Sequence, residues 1–166
     1  AGALVPPLGL APARGAPAGE KKMNRQDDTL AKLVESEQER ILAEWLAETA
    51  SAGKFGSARQ TSNADALELL IAFRKGLAEA PEATRFDQPA WERVRALLEA
   101  LSDARAAQGS SAGETSYYVL ALKKPLFGLI REHLDPATQF DAIWTISAIV
   151  DRMAEWTAAN HQRARE

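Results

Sequence analysis

The chain has two imidazoles and no thiols with which to do chemistry: its 166 residues include His133, His161 and no cysteine. Without cysteine there is no disulfide framework, no thiolate nucleophile and no thiolate metal site. A di-iron carboxylate centre in a helical bundle needs a Glu-x-x-His pair on each of two helices. None is present, and the neighbours Glu132 and His133 would point about 100° apart on a helix. Gly53 and Gly56 lack the following Lys-Ser/Thr pair of a phosphate-cradling loop, and Ser110-Ser111 has no paired base. His133 ends a helical pattern, where the helix dipole favours a cation. His161 opens the polar stretch His161-Gln162-Arg163-Ala164-Arg165-Glu166 and reads as solvated. The run Glu35, Glu37, Glu39, Glu44 and Glu48 reads as the solvated side of a helix. These residues argue against an enzyme and offer no site for a metal or cofactor.

Composition narrows the remaining classes. The length suits one domain, and 46% hydrophobic residues are enough for a core. A formal charge of −3 leaves little to attract nucleic acid or an anionic membrane. No apolar run approaches the roughly 20 residues that cross a bilayer, and a cytoplasmic location is expected. Residues 1–22, AGALVPPLGLAPARGAPAGEKK, are dominated by Ala, Gly, Pro and Leu, with four prolines that break any helix. They lack the basic start and apolar centre of a secretory signal. Met23-Asn24 looks like a natural start, so the segment reads as an added tag, or else as a native linker. It is set apart from residues 23–166, which hold the folded domain.

Periodicity predicts five main helices and no sheet. Asp27 or Asp28 can cap a first helix from Thr29 to about Ser51, with Leu30, Leu33, Val34, Ile41, Leu42 and Trp45 inward. Gly53 and Gly56 end it, and Phe55 between them tucks back onto the core. Asn63 caps a second helix through Leu67, Leu70, Ile71, Phe73 and Leu77, closed by Pro81. Asp87 and Pro89 start a third through Trp91, Val94, Leu97, Leu98 and Leu101. Asp103–Ser110 is polar and reads as a connection. Ser111 and Glu114 form a capping box for a fourth helix, which runs to Leu134 through Tyr118, Leu122, Leu126 and Leu129. Asp135-Pro136 caps the fifth. Trp45, Trp91 and Trp144 lie on apolar stripes and are expected to be buried.

Within the fourth helix, Glu114-Thr115, Val119 and Leu122-Lys123-x-Pro125-Leu126-Phe127 resemble the N-terminal domain of the stressosome co-antagonists of the RsbT kinase. That family opens the helix with a Ser-Pro-Ser-Glu-Thr-like start and continues with a Ser-Leu-Lys-like middle. Ala112, Gly113 and Ala121 depart from this pattern. Ile41-Leu42-Ala43-Glu44-Trp45-Leu46 resembles the family's first helix, and the likeness spans roughly Asn24 to Glu166. The resemblance implies a non-catalytic sensory domain with an all-α, globin-like fold and a long C-terminal linker helix. It also implies a homodimer that reaches stressosome components through a downstream STAS domain. The family's regulatory threonines lie in or near the STAS part, so Thr115 and Thr157 inherit no such role. The globin-like fold raises haem, but His133 at a helix end and His161 in a polar tail are poorly placed to reach an iron.

Two further expectations concern sites. Pro125 inside a helix removes a donor at a cost of about 3 kcal/mol. The resulting kink either wraps the helix around the core or opens a ligand cavity beside Leu122, Leu126 and Phe127. The fifth helix, uninterrupted from Pro136 to Glu166, would span about 45 Å, longer than a domain about 35–40 Å across, so its last turn or two should protrude. It is apolar on more than one face and so wants two partners. Assigning Trp144 and Val150 to the core leaves Ile149, Met153 and Trp156 for a dimer interface. Two other outputs stay open: a helical sensor feeding a different protein, such as a histidine kinase, and a haem-binding sensor.

Overall fold

Apolar residues at three- and four-residue spacing make every regular element helical among the residues that the computed structural model describes: Gly2, 29–51 and 62–165. The elements are α1 (residues 29–36), α2 (Gln38–Ser51), α3 (Asn63–Glu79), α4 (Glu92–Ala107), α5 (Ala112–Leu120), α6 (Lys123–His133) and α7 (Pro136–Arg165). Two short 3-10 turns, Ala83–Arg85 and Pro89–Trp91, join α3 to α4. Asp27, Asp28, Gly53, Phe55, Gly56 and all of residues 1–22 except Gly2 lie outside the described residues.

The expected first helix is nearly continuous. A single turn at Glu37 separates α1 from α2, and the ladder crosses it through Glu37 N to Leu33 O (3.0 Å) and Ile41 N to Glu37 O (2.9 Å). Leu30, Val34, Ile41 and Trp45 are buried along this stripe. For α3 the cap is Ser62 rather than Asn63, its hydroxyl accepting from Asp65 N at 3.1 Å. Before α4, Gln88 precedes Pro89 in the 3-10 turn Pro89–Trp91, and α4 itself starts three residues later at Glu92, so neither Asp87 nor Pro89 opens the α-helix as expected. The Asp135 carboxylate accepts from Thr138 N at 3.2 Å at the start of α7, as its position suggested.

The fourth helix departs most from expectation. Ser111 caps it, accepting from Glu114 N at 3.1 Å, but the helix ends at Leu120 and α6 begins at Lys123. The break is a tightened turn in which Leu122 N bonds to Val119 O at 3.1 Å. Pro125 is thereby the third residue of α6, where a backbone N–H has no intrahelical partner in any case. The interior-proline penalty is avoided by starting a new helix, and no kink is needed.

The core lies between α7 and its neighbours. α7 packs on α4, α5 and α6, while α2 and α3 close the far side through α6 and α4. Trp45 and Trp91 are fully buried. Trp144 is not: it is 68% exposed, beside Phe140 at 71%. The core-facing arc of α7 is set by three neighbouring helices, and Trp144 falls outside it.

Candidate functional site

A cleft of about 440 Å³ that includes a buried charged residue lies between α3 and α4. Leu69 of α3 and Leu97 and Leu101 of α4 form its apolar walls, and the buried Arg105 and Tyr118 also line it. The Arg105 side chain is held there by helix geometry. α4 continues to Ala107, so Arg105 extends the buried stripe of Val94, Leu98 and Ser102. Its guanidinium lies 5.2 Å from the centre of the Tyr118 ring. Burial lowers the Arg105 pKa, an effect that Tyr118 and Glu114 partly oppose.

Tyr118 connects the cleft to the rest of the core. Its ring centre is 4.9 Å from that of Trp45, and the Trp45 indole N–H donates to the Tyr118 carbonyl at 2.8 Å. A ligand pressing on Tyr118 would thus bear on α5, which packs along α7. At the rim, Asp65 and Glu68 add negative charge, Glu68 in an ion pair with Arg93. The polar composition of Asp103–Ser110, expected to be a connection, hides this site in the sequence, because α4 in fact continues to Ala107. The spacing of Arg105 from Leu98 and Leu101, seven and four residues, was the available signal.

Beside Leu122, Leu126 and Phe127, the expected lining of a cavity, the described residues are closely packed. Leu122 and Leu126 are buried in the core, and Phe127 is half-buried against it. The void beside Leu126, bounded by α1, α6 and Ile146, measures about 10 Å³. That is at the lower limit for one water. Pro125 sits in the first turn of α6, and around that void α6 lies against α1.

The residues assigned to a partner are also placed differently. Ile149 and Met153 are fully buried within the protomer, together with Val150. Trp156 is half-buried, 5.7 Å from the Phe86 ring, and its indole N–H donates to Glu99 at 3.2 Å. Arg95 and Arg152 cover its ring. Trp156 is thus engaged by α4 and the turn before it, and the fully buried Ile149 and Met153 present no surface to a partner. What α7 does present is Phe140 and Trp144, stacked with ring centres 6.2 Å apart.

The end of α7 is anchored further than its polar composition suggested. Ser102 donates to the Thr157 carbonyl at 3.1 Å, and Asn160 donates to Asp103 at 2.9 Å. His161 is therefore buried at 4% exposure rather than solvated, and neither ring nitrogen has a hydrogen-bond partner. Beyond it, Gln162–Ala164 are exposed. Thr115 and Thr157 are buried too, their hydroxyls donating to the carbonyls of Ser111 and Ala154. His133, on the surface at the end of α6, faces Glu37 at 3.8 Å and Glu132 at 4.0 Å.

Residues 39–166 match the family described as the RsbT co-antagonist protein rsbRD N-terminal domain. The chain belongs to this family. No curated protein and no solved structure matches it. The family match covers α2 from its second residue through α7, and so takes in the cleft, the split motif helix and the Phe140–Trp144 pair. Among the described residues no cluster of His, Asp and Glu could hold a metal ion, and no helix is long and apolar enough to cross a membrane.

Proposed function

We propose that this domain is the non-catalytic sensory and dimerising input of a cytoplasmic stressosome regulator in a stress response. Its signal passes along α7 to a downstream STAS domain, and through that domain to the other stressosome components. Membership of the co-antagonist family supports the assignment. The observation that carries the mechanism is the position of α7: one 30-residue helix in contact with α4, α5 and α6. A displacement of any of these three is felt by the helix that leaves the domain, because close-packed elements move between discrete arrangements rather than deform smoothly.

The partner in this reading is a second copy of the chain. An isologous dimer uses the same patch on both subunits. Phe140 and Trp144 supply large apolar rings on one face of α7, and Ala137 and Ala148 extend that face with small residues. Two such seams can interdigitate about a two-fold axis, with the rings of one copy over the alanines of the other. The α7 helices would then leave the dimer as a linked pair. Sedimentation velocity tests this directly. The wild type is expected to run as a dimer at tens of micromolar, and Trp144→Glu as a folded monomer. A wild type that remains monomeric at high micromolar concentration would remove both the interface and the paired-helix signal.

A further inference from the structure

One apolar stripe of α4 is left partly open to solvent. Leu97, Ala100, Leu101 and Ala104 recur at three- and four-residue spacing and so share one side of the helix. The two leucines are half-buried, and both alanines are exposed. With Leu69 of α3 they line the α3–α4 cleft, whose volume of about 440 Å³ lies in the range of ligand pockets. Apolar side chains scattered singly over a surface need no explanation, but a contiguous stripe that opens on a concavity marks a binding surface. We propose that this cleft binds a small uncharged molecule, its apolar body along the stripe and a single hydroxyl at the polar edge.

The charges around the cleft select a neutral ligand. The Arg105 guanidinium already lies 5.2 Å from the centre of the Tyr118 ring, and Tyr118 and Glu114 both favour its charged form. Glu68 is paired with Arg93 of α4, and Asp65 is exposed to water. A carboxylate would face Asp65 and Glu68. An ammonium would face Arg105 and meet Asp65 only where water screens the attraction. Either ion would also give up hydration beside the leucines, whereas an uncharged body gains by covering the stripe. Ser62 and Gln108, both exposed at the cleft, can pair with one hydroxyl. The ligand would touch Tyr118 on α5, and α5 packs along α7. This deepens the sensory reading and rests on it for its purpose, but binding is measured without any downstream domain.

Isothermal titration of the whole chain with 3-phenyl-1-propanol, 3-phenylpropionate and 3-phenylpropylammonium tests the site, because the three share one apolar body and differ in charge. The alcohol is expected to bind once per chain with a dissociation constant below about 1 mM, and each ion at least about tenfold more weakly. Ala104→Trp, or Ala100→Phe if the first variant melts early, is expected to fill the space and abolish the heat of binding. The charge series on the wild type decides the matter even if neither variant folds. Absence of saturable binding of the alcohol, binding of either ion as tight as that of the alcohol, or undiminished binding to folded cleft-filling variants would overturn the proposal. A chain that binds the alcohol but stays monomeric would retain the cleft and lose the dimer, so the two failures are distinguishable.

Discussion

Gly76 and Trp91 approach so closely that a Cβ on Gly76 would lie 2.6 Å from the indole ring. The contact lets the indole lie flat on α3, where its N–H donates to the Ala80 carbonyl at 2.8 Å just beyond the helix end. From there an aromatic chain runs through Phe86, 5.7 Å away, to Trp156 on α7. Gly76→Ala gains roughly 1 kcal/mol of helix propensity, but overpacking a filled core typically costs about 1–3 kcal/mol. The indole is fully buried and has little freedom to yield. Urea denaturation should therefore show net destabilisation by Gly76→Ala, whereas a more stable variant would mean that Trp91 can shift.

Trp45 fills the core and satisfies the Tyr118 carbonyl. Trp45→Ala should cost about 3–5 kcal/mol. Trp45→Phe keeps most of the volume but leaves that carbonyl without its donor, a loss of about 1–3 kcal/mol. Chemical denaturation should rank wild type above Trp45→Phe, and that above Trp45→Ala. Equal stability of the wild type and Trp45→Phe would show that the hydrogen bond contributes nothing.

On α7 the two apolar faces should respond in opposite ways. Trp144 projects into solvent, so Trp144→Ala should change the stability of the separated protomer by no more than about 0.5 kcal/mol. Met153→Glu places a charge in the core and should cost more than about 4 kcal/mol. Circular dichroism melts at low protein concentration would check both, and a folded, monomeric Met153→Glu would contradict the packing of α7.

His161 is buried with two unpartnered ring nitrogens, a costly state for a polar group. His161→Leu should therefore keep the stability or raise it by up to about 1 kcal/mol at neutral pH. If the leucine variant is markedly less stable, the imidazole has a partner that compensates its burial.

Arg40 joins α2 to α6 through two bonds of 2.7 Å to the Glu132 carboxylate, with Glu44 beside it. These bonds hold the Glu132 pKa below the ordinary carboxylate value and raise that of Arg40. A carboxylate with a lowered folded-state pKa contributes stability that is fully present above its unfolded pKa. That contribution fades as the pH falls through the lower, folded value. The bridge should therefore act at neutral pH and weaken below about pH 4. The melting temperature of Glu132→Gln should differ from wild type near neutrality and converge with it in acid. A constant difference across that range would assign the effect to something other than the carboxylate charge.

The helical class, the Asp135 and Ser111 caps and the first-turn Pro136 could all be read from the chain, because each depends on residues within about one helical turn, and the apolar stripes of their helices marked Trp45 and Trp91 for burial. The family resemblance was legible in the same way, in short runs along α2 and across α5 and α6. Three things were decided only by the tertiary structure. Pro125 could kink one long helix or begin a new one, and the fold takes the second, with α6 lying against α1. α7 is apolar on more than one face, and periodicity does not rank faces; contact with α4, α5 and α6 turned Ile149 and Met153 inward and left Trp144 outside. The burial of Arg105 and His161 came from α4 continuing beyond the point where its composition turns polar, which brought both beneath neighbouring helices. Local sequence sets backbone conformation through steric and hydrogen-bonding preferences a few residues wide, whereas burial depends on which other surfaces are near, and those come from residues far away in the chain.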